Sequence, residues 1–346
     1  MISYPIEIGE LAIPKLINWL AGAAYSKVMV LTDTNTYRDC YPLLKGHLPT
    51  HEVFQIEPGE QYKTLETCSF LWQQMTKQAA DRKAVLLNLG GGVIGDMGGF
   101  VAGTYKRGID FVQIPTTLLS QVDASVGGKL GIDFQGYKNH IGLFRDPQGV
   151  YIDPVFLKTL SRRELLSGFA EVIKHHLIAD GAGWQELQLL RDPEEWPVAK
   201  LIRHSIDIKA KIVSDDPFEK GARKALNFGH TIGHALERFF LASPTPHLHG
   251  EAIAVGMVAE SWISCQQGLI AEAELSAITS FINILYPPLR WMPEDEATIL
   301  ADMLQDKKNE GGTINCTLIK GPGDFEINFP LNQEVASEAL AYYRNV

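Results

Sequence analysis

Along the first 150 residues, short apolar runs alternate with longer mixed stretches. Val28-Met29-Val30-Leu31-Thr32-Asp33 reads as a strand buried on both faces that ends in polar residues. Glu52 to Ile56, Ala84 to Leu89 and Phe111 to Pro115 repeat the pattern, and helical spacing between Thr64 and Ala80 separates two of these runs. Strands that alternate with helices predict a parallel sheet covered on both faces. In such sheets ligands bind beyond the carboxyl ends of the strands. Here the Ala84–Leu89 strand runs straight into Gly90-Gly91-Gly92-Val93-Ile94-Gly95-Asp96.

From about Leu160 the period changes to that of helices. The stretch from Arg163 to His176 has helical spacing, and further helices are predicted around 185–191, 197–214, 229–241, 250–267 and 271–284. Only 313–319 and 325–327 look extended. The pattern predicts an α/β nucleotide-binding domain over 1–153 and a mostly α-helical domain over 154–346, with the boundary near Asp153-Pro154.

A chain of 346 residues is long for a single core and agrees with two domains. Apolar content of 45% and charged content of 21% are those of a globular protein. The net charge of −10 argues against nucleic acid as a partner. No apolar run is long enough to span a membrane, and Met1 to Ile8 lacks the pattern of a signal peptide. Four cysteines, widely scattered and without a Cys-x-x-Cys pair, fit reduced thiols and a cytoplasmic protein. An anionic small molecule must then be met by local basic residues.

Two groups of residues carry candidate chemistry. The first is Leu226-Asn227-Phe228-Gly229-His230-Thr231-Ile232-Gly233-His234, followed by His249-Gly250-Glu251. Positions i and i+4 share a helix face, so His230 and His234 point into one space. Alone, such a pair is often no more than two satisfied helix histidines; a third histidine nearby turns it toward a metal centre with a proton-transfer group. Glu171, in the apolar helical context of Ala170-Glu171-Val172-Ile173-Lys174, would complete a His-His-Glu site with an open position. The second group is Gly-rich. Gly90 to Gly92 would let backbone approach a pyrophosphate at a helix N-terminus, although the spacing is not Gly-x-Gly-x-x-Gly. Asp33 and Asn35, at the end of an earlier strand, suit a ribose, and Asp96 suits a cap or a cofactor contact. Lys63, Lys129 in Gly127-Gly128-Lys129, and Lys138-Asn139 suggest an anion pocket, to which Lys209, Arg223 and Lys307-Lys308 add charge. Lys129, Lys138 and Arg223 are expected to serve the anion rather than the fold.

These blocks, in this order, resemble the 3-dehydroquinate synthases, within the sugar-phosphate cyclases. Pro58-Gly59-Glu60-Gln61-Tyr62-Lys63, Pro115-Thr116-Thr117-Leu118-Leu119 and Gly168-Phe169-Ala170-Glu171 belong to the likeness, which runs from Asp33 to about Lys308. The resemblance implies a Rossmann-like NAD-binding domain, a helical domain carrying zinc or cobalt, and an active site in the cleft between them. The implied reaction converts 3-deoxy-D-arabino-heptulosonate 7-phosphate to 3-dehydroquinate and phosphate on the shikimate route. Hydride passes to NAD and back within each turnover, so the enzyme is a carbon–oxygen lyase that contains a redox step. By matching motif positions, Glu171, His230 and His249 look like the metal ligands. Lys129, Lys138, Asn139, Lys174, Lys209, Arg223, Asn227, His234 and Lys308 look like substrate contacts, with Arg107 reaching phosphate across a homodimer interface. Asp33, Asn35, Glu60, Lys63, Gly91, Gly92, Asp96, Thr116, Thr117, Asp123, Phe156, Thr159 and Glu164 look like cofactor contacts, joined by Lys129 and Lys138.

The chain also departs from the family pattern. Leu130 to Phe134 are less polar than in many members, Asp216 to Glu219 vary the usual acidic stretch, and a longer loop makes His247 a rival to His249. Another sugar-phosphate cyclase, or a metal-dependent polyol or alcohol dehydrogenase, is the alternative reading.

Overall fold

A computed structural model describes residues 2–135, 137–241, 246–304 and 314–346. The chain forms two compact units, one of Met1–Ser161 with Pro197–Ala210, the other of Arg162–Trp196 with Lys211–Val346.

The first unit is built on a sheet of β1 (Ile6–Ile8), β2 (Lys27–Asp33), β3 (His51–Ile56), β4 (Ala84–Gly90), β5 (Asp110–Pro115) and β8 (Val150–Ile152). The strand order is β1-β8-β5-β4-β2-β3, and every pairing is parallel. Alternation along the strands sends side chains to two apolar cores. Met29, Leu31 and Leu86 face one core with Cys68 and Leu71 of α3 (Leu65–Lys77) and Met97 and Val101 of α4 (Gly92–Thr104). Val28, Val30, Val85 and Leu87 face the other with Leu16 and Leu20 of α1 (Ala12–Gly22). From β2 the chain moves to β3 on one side, and β4 lies on the other. This is a switch point, and it places the ends of β2 and β4, hence Asp33 and the glycine turn, side by side.

Two elements of this unit were not expected. An antiparallel pair, β6 (Lys129–Phe134) and β7 (Tyr137–Phe144), occupies the stretch read only as an anion pocket. Strand β1, at the sheet edge, and β8, beside it, were also missed; with three residues each, they are too short to show a period.

The second unit is helical: α5 (Arg162–Ala179), α6 (Gly181–Leu187), the end of α7 (Val198–Asp215), α8 (His230–Leu241), α9 (His249–Gln266), α10 (Glu272–Leu285), α11 (Glu296–Leu304) and α12 (Gln333–Asn345), with an antiparallel pair β9 (Ile314–Ile319) and β10 (Phe325–Leu331). Helix α9 packs against α5, α8, α10 and α12 and is buried along most of its length, which is why apolar residues are spread around it rather than confined to one stripe. The observed α6 starts four residues before the predicted 185–191, because Asp180 caps it by accepting the Gly183 N–H at 2.9 Å. The remaining helix of the first unit, α2 (Thr34–Asp39), is a short turn behind β2.

Candidate metal and cofactor sites

Three elements of the second unit converge on one carboxylate. Glu171, in the buried middle of α5, has no exposed surface. His230 opens α8 and His249 opens α9. The Nε2 atoms of His230 and His249 lie 3.4 and 3.5 Å from Glu171 Oε1. Nδ1 of His230 lies 3.0 Å from the carbonyl oxygen of Phe228, and Nδ1 of His249 lies 3.3 Å from Oε2 of Glu237. His234 completes an aromatic cluster, its ring 5.0 Å from that of His230 and 5.9 Å from that of His249. Lys174, one turn beyond Glu171, forms an ion pair with it.

The entry to α8 makes this geometry possible. Gly229 has a left-handed φ of +77°, and a Cβ there would come within 2.6 Å of Met257 Cγ and 3.0 Å of Met257 N. Only glycine fits that turn. Buried Glu260, on α9, accepts the N–H groups of Gly229, Thr231 and Ile232 at 2.6, 3.0 and 3.1 Å, so a carboxylate caps the amides where the helix dipole is positive.

The residues fit a divalent ion. Ligand atoms of Glu171, His230 and His249 all lie within 4.8 Å of one another, and the donor types are those of a catalytic zinc site. Burial alone would strip the proton from His249, but Glu237 and Glu171 outweigh it and raise its pKa to about 9. The same two carboxylates would favour a metal cation, which would take the place of the proton on the ring. His247 turns away from this group. Its Nδ1 lies 3.2 Å from Glu251 Oε2, and its ring packs 4.5 Å from Phe240.

Of the expected substrate contacts in this unit, Lys174 and His234 lie at the cluster. Asn227 donates to Glu219 Oε1 at 2.9 Å, and Glu219 itself has a left-handed φ of +57°. Arg223 corrects an expectation. It is 2% exposed and donates to the carbonyl of Pro217 at 2.6 Å, so it serves the fold as well as any anion. Glu164 is in the first turn of α5, where burial raises its pKa. Lys308 lies outside the described residues.

In the first unit a second cluster surrounds buried Lys63. Its Nζ donates to Asp96 Oδ2 at 2.7 Å and to Asn139 Oδ1 at 2.6 Å, and Glu60 Oε1 is 3.8 Å away. Burial opposes its charge, yet Asp96 and Glu60 hold it protonated, with its pKa above the usual lysine value. Lys138 Nζ lies 3.5 Å from Glu60 Oε1, while Lys209 contacts both the carbonyl and the carboxylate of Asp123, at 2.5 and 2.8 Å. Gly91 is the N-cap of α4 with no side chain capping it, and a small cavity beside it is lined by residues that include Gly90, Gly91, Gly92 and Asp96. A helix N-terminus of this kind favours an anionic group such as a pyrophosphate.

Elsewhere in this unit, Asp33 Oδ1 caps α2 by accepting the Thr36 N–H at 2.7 Å, and Asn35 lies in that helix's first turn. Thr117 shares hydrogen bonds with Ser120, Thr116 and Thr159 border the Cys40 thiol, and Phe156 packs in the core. Exposed Lys129 begins β6. Arg107 sits at φ +69° in a turn after Lys106 at φ +50°. Glu219, Glu237 and Glu260 were missed among the site residues. Glu219 stood out only as part of the variant acidic stretch, and Glu237 left a trace seven residues after His230, on the same helix face.

Family models described as 3-dehydroquinate synthase N-terminal and 3-dehydroquinate synthase C-terminal match residues 53–167 and 168–309. The chain belongs to the 3-dehydroquinate synthases. The 3-dehydroquinate synthase of Parabacteroides distasonis is 42% identical over 335 residues, which cover 95% of this chain and 95% of that one. Its counterpart from Sulfurovum sp. is 40% identical, with 91% and 90% covered. Among solved structures, 2-epi-5-epi-valiolone synthase of Streptomyces hygroscopicus subsp. jinggangensis, with NAD+ and Zn2+ bound, aligns at a TM-score of 0.85 and 26% identity, covering 100% of this chain and 98% of that one. A 2-deoxy-scyllo-inosose synthase aligns at a TM-score of 0.83 and 24% identity, covering 98% and 96%, a likeness of fold. No helix among the described residues is long and apolar enough to cross a membrane.

Proposed function

We propose that this chain converts 3-deoxy-D-arabino-heptulosonate 7-phosphate to 3-dehydroquinate and phosphate, using NAD and a divalent metal, Zn2+ or Co2+. The observation that carries the reading is near-full-length kinship at about 40% identity to relatives that bear the name 3-dehydroquinate synthase. Glu171, His230 and His249 would hold the metal, and the Gly91–Asp96 turn with Glu60 and Lys63 would hold NAD; bound there, they supply Lewis-acid polarisation of a hydroxyl and a reversible hydride acceptor.

The chain's own residues do the rest. Lys129, Lys138, Asn139, Lys174, Lys209, Arg223 and Asn227 are assigned to binding the phosphate and carboxylate and orienting the sugar. His234, beside the metal ligands, moves a proton at its imidazole. Arg107 is assigned to phosphate bound by the second copy of a homodimer. The cytoplasm is the proposed location, in keeping with cysteines that are all free thiols.

The test is to incubate pure protein with NAD, Zn2+ and a panel of sugar phosphates and polyols, and to follow phosphate and NADH separately. Phosphate released in step with loss of the heptulosonate, without net NADH, supports the reading. Phosphate from a different sugar phosphate alone, or NADH accumulating on a polyol, would replace it with one of the two alternatives.

A further inference from the structure

We infer that Glu237 is a positioning residue of the metal centre, its buried carboxylate accepting the Nδ1–H of His249 and so turning that ring's Nε2 lone pair toward Glu171 and His230. The inference rests on the proposal that Glu171, His230 and His249 hold the metal. His249 lies between two carboxylates, with Glu171 Oε1 3.5 Å from Nε2 and Glu237 Oε2 3.3 Å from Nδ1. One imidazole cannot present both nitrogens to a single ion. The His230 ring and Glu171 lie on the Nε2 side, so the ion belongs there, and the neutral ring must then carry its hydrogen on Nδ1. Glu237 is placed to accept it.

Glu237 is 3% exposed, and α8 carries it two turns beyond His230 on the same face. His230 meets the same need differently, with its Nδ1 3.0 Å from a backbone carbonyl, that of Phe228. The two imidazoles therefore differ in their outer partners, one neutral and one charged. A carboxylate behind the ring makes it the more basic ligand and locks its tautomer and rotation. A competing arrangement is present, because atoms of His234, Glu237 and His249 also lie within 4.8 Å of one another and could hold an ion directly. The test must separate an outer partner from a ligand.

The experiment compares full-length wild type with Glu237→Gln and Glu237→Asp. Zn2+ affinity is measured by competition with a chromophoric chelator, and the visible spectrum is recorded for each variant saturated with Co2+. Glutamine keeps the shape and an acceptor oxygen but not the charge, so a residue that only fills space would tolerate it. The expected result is Zn2+ binding about 10- to 100-fold weaker in Glu237→Gln, with a smaller loss in Glu237→Asp. The saturated Co2+ spectrum should stay unchanged and NAD affinity intact. Wild-type Zn2+ affinity in Glu237→Gln overturns the inference, as does a Co2+ spectrum showing a changed ligand set. Should Glu237→Gln fail to fold, Glu237→Asp decides on the same two readouts. If instead wild type binds no metal, or Glu171→Gln binds it as well as wild type, the parent assignment of the ligands fails.

Discussion

Lys174, Lys209 and Arg223 are 1%, 5% and 2% exposed, and a buried cation is costly unless it is paired. Each has a partner: Lys174 the Glu171 carboxylate, Lys209 both oxygens offered by Asp123, and Arg223 the Pro217 carbonyl. Basic residues assigned to substrate are therefore not all alike. Arg223→Ala should lose about 2–3 kcal/mol of stability as well as activity, because it removes a charged hydrogen bond together with buried packing. Exposed Lys129→Ala should keep the wild-type Tm while kcat/KM falls about 10²-fold. Thermal melts alongside steady-state kinetics check both, and an unchanged Tm for Arg223→Ala would refute the structural half. The histidine pair was legible in the sequence because helical spacing alone puts His230 and His234 on one face. Burial of Arg223 was not, since nothing local distinguishes an arginine that donates to a loop carbonyl from one that meets solvent. The same holds for Glu260, whose three amide partners lie 28 to 31 positions away along the chain.

The short turn into α8 governs where both of that helix's histidines point. Gly229→Ala must place a side chain at φ +77° and against Met257, so it should cost at least about 2 kcal/mol and weaken metal binding together with it. Denaturant unfolding of the apo protein and a metal titration measure the two effects. A variant with wild-type stability and affinity would mean that the turn adapts. Among elements, long amphipathic or buried runs were readable: α7, α8, α9 and α10 lie within a residue or two of their predicted spans. The β6–β7 pair was not, because Gly131 and Gly142 interrupt the alternation that marks a strand, and the lysines drew attention to charge instead. Helix α6 was misplaced for a related reason: Gly181 and Gly183 in its first turn look like a loop until Asp180 is seen to cap them.

At the scale of the molecule, chain order and spatial order part company. The first unit takes Pro197–Ala210 from beyond the start of the second. In that segment Leu201, Ile202 and Ile206 are buried, Arg203 donates to the Ile8 carbonyl at 3.2 Å, and Lys209 reaches Asp123. Strand β1, the first strand of this sheet in chain order, pairs only with β8 among the described residues. On the ribosome, then, the amino-terminal strand waits for a partner about 140 residues downstream, and the unit lacks its last piece until Ala210 has emerged. A fragment ending at Ser161 should be aggregation-prone or partly molten, with near-ultraviolet circular dichroism weaker than the same chromophores show in the intact chain. Adding back a peptide spanning 197–210 should restore some of that signal, whereas a fragment that is well folded unaided would show the segment to be dispensable. The order in which this chain is synthesised is thus part of its folding problem: a unit that looks amino-terminal can be finished only after synthesis is well into the unit that follows.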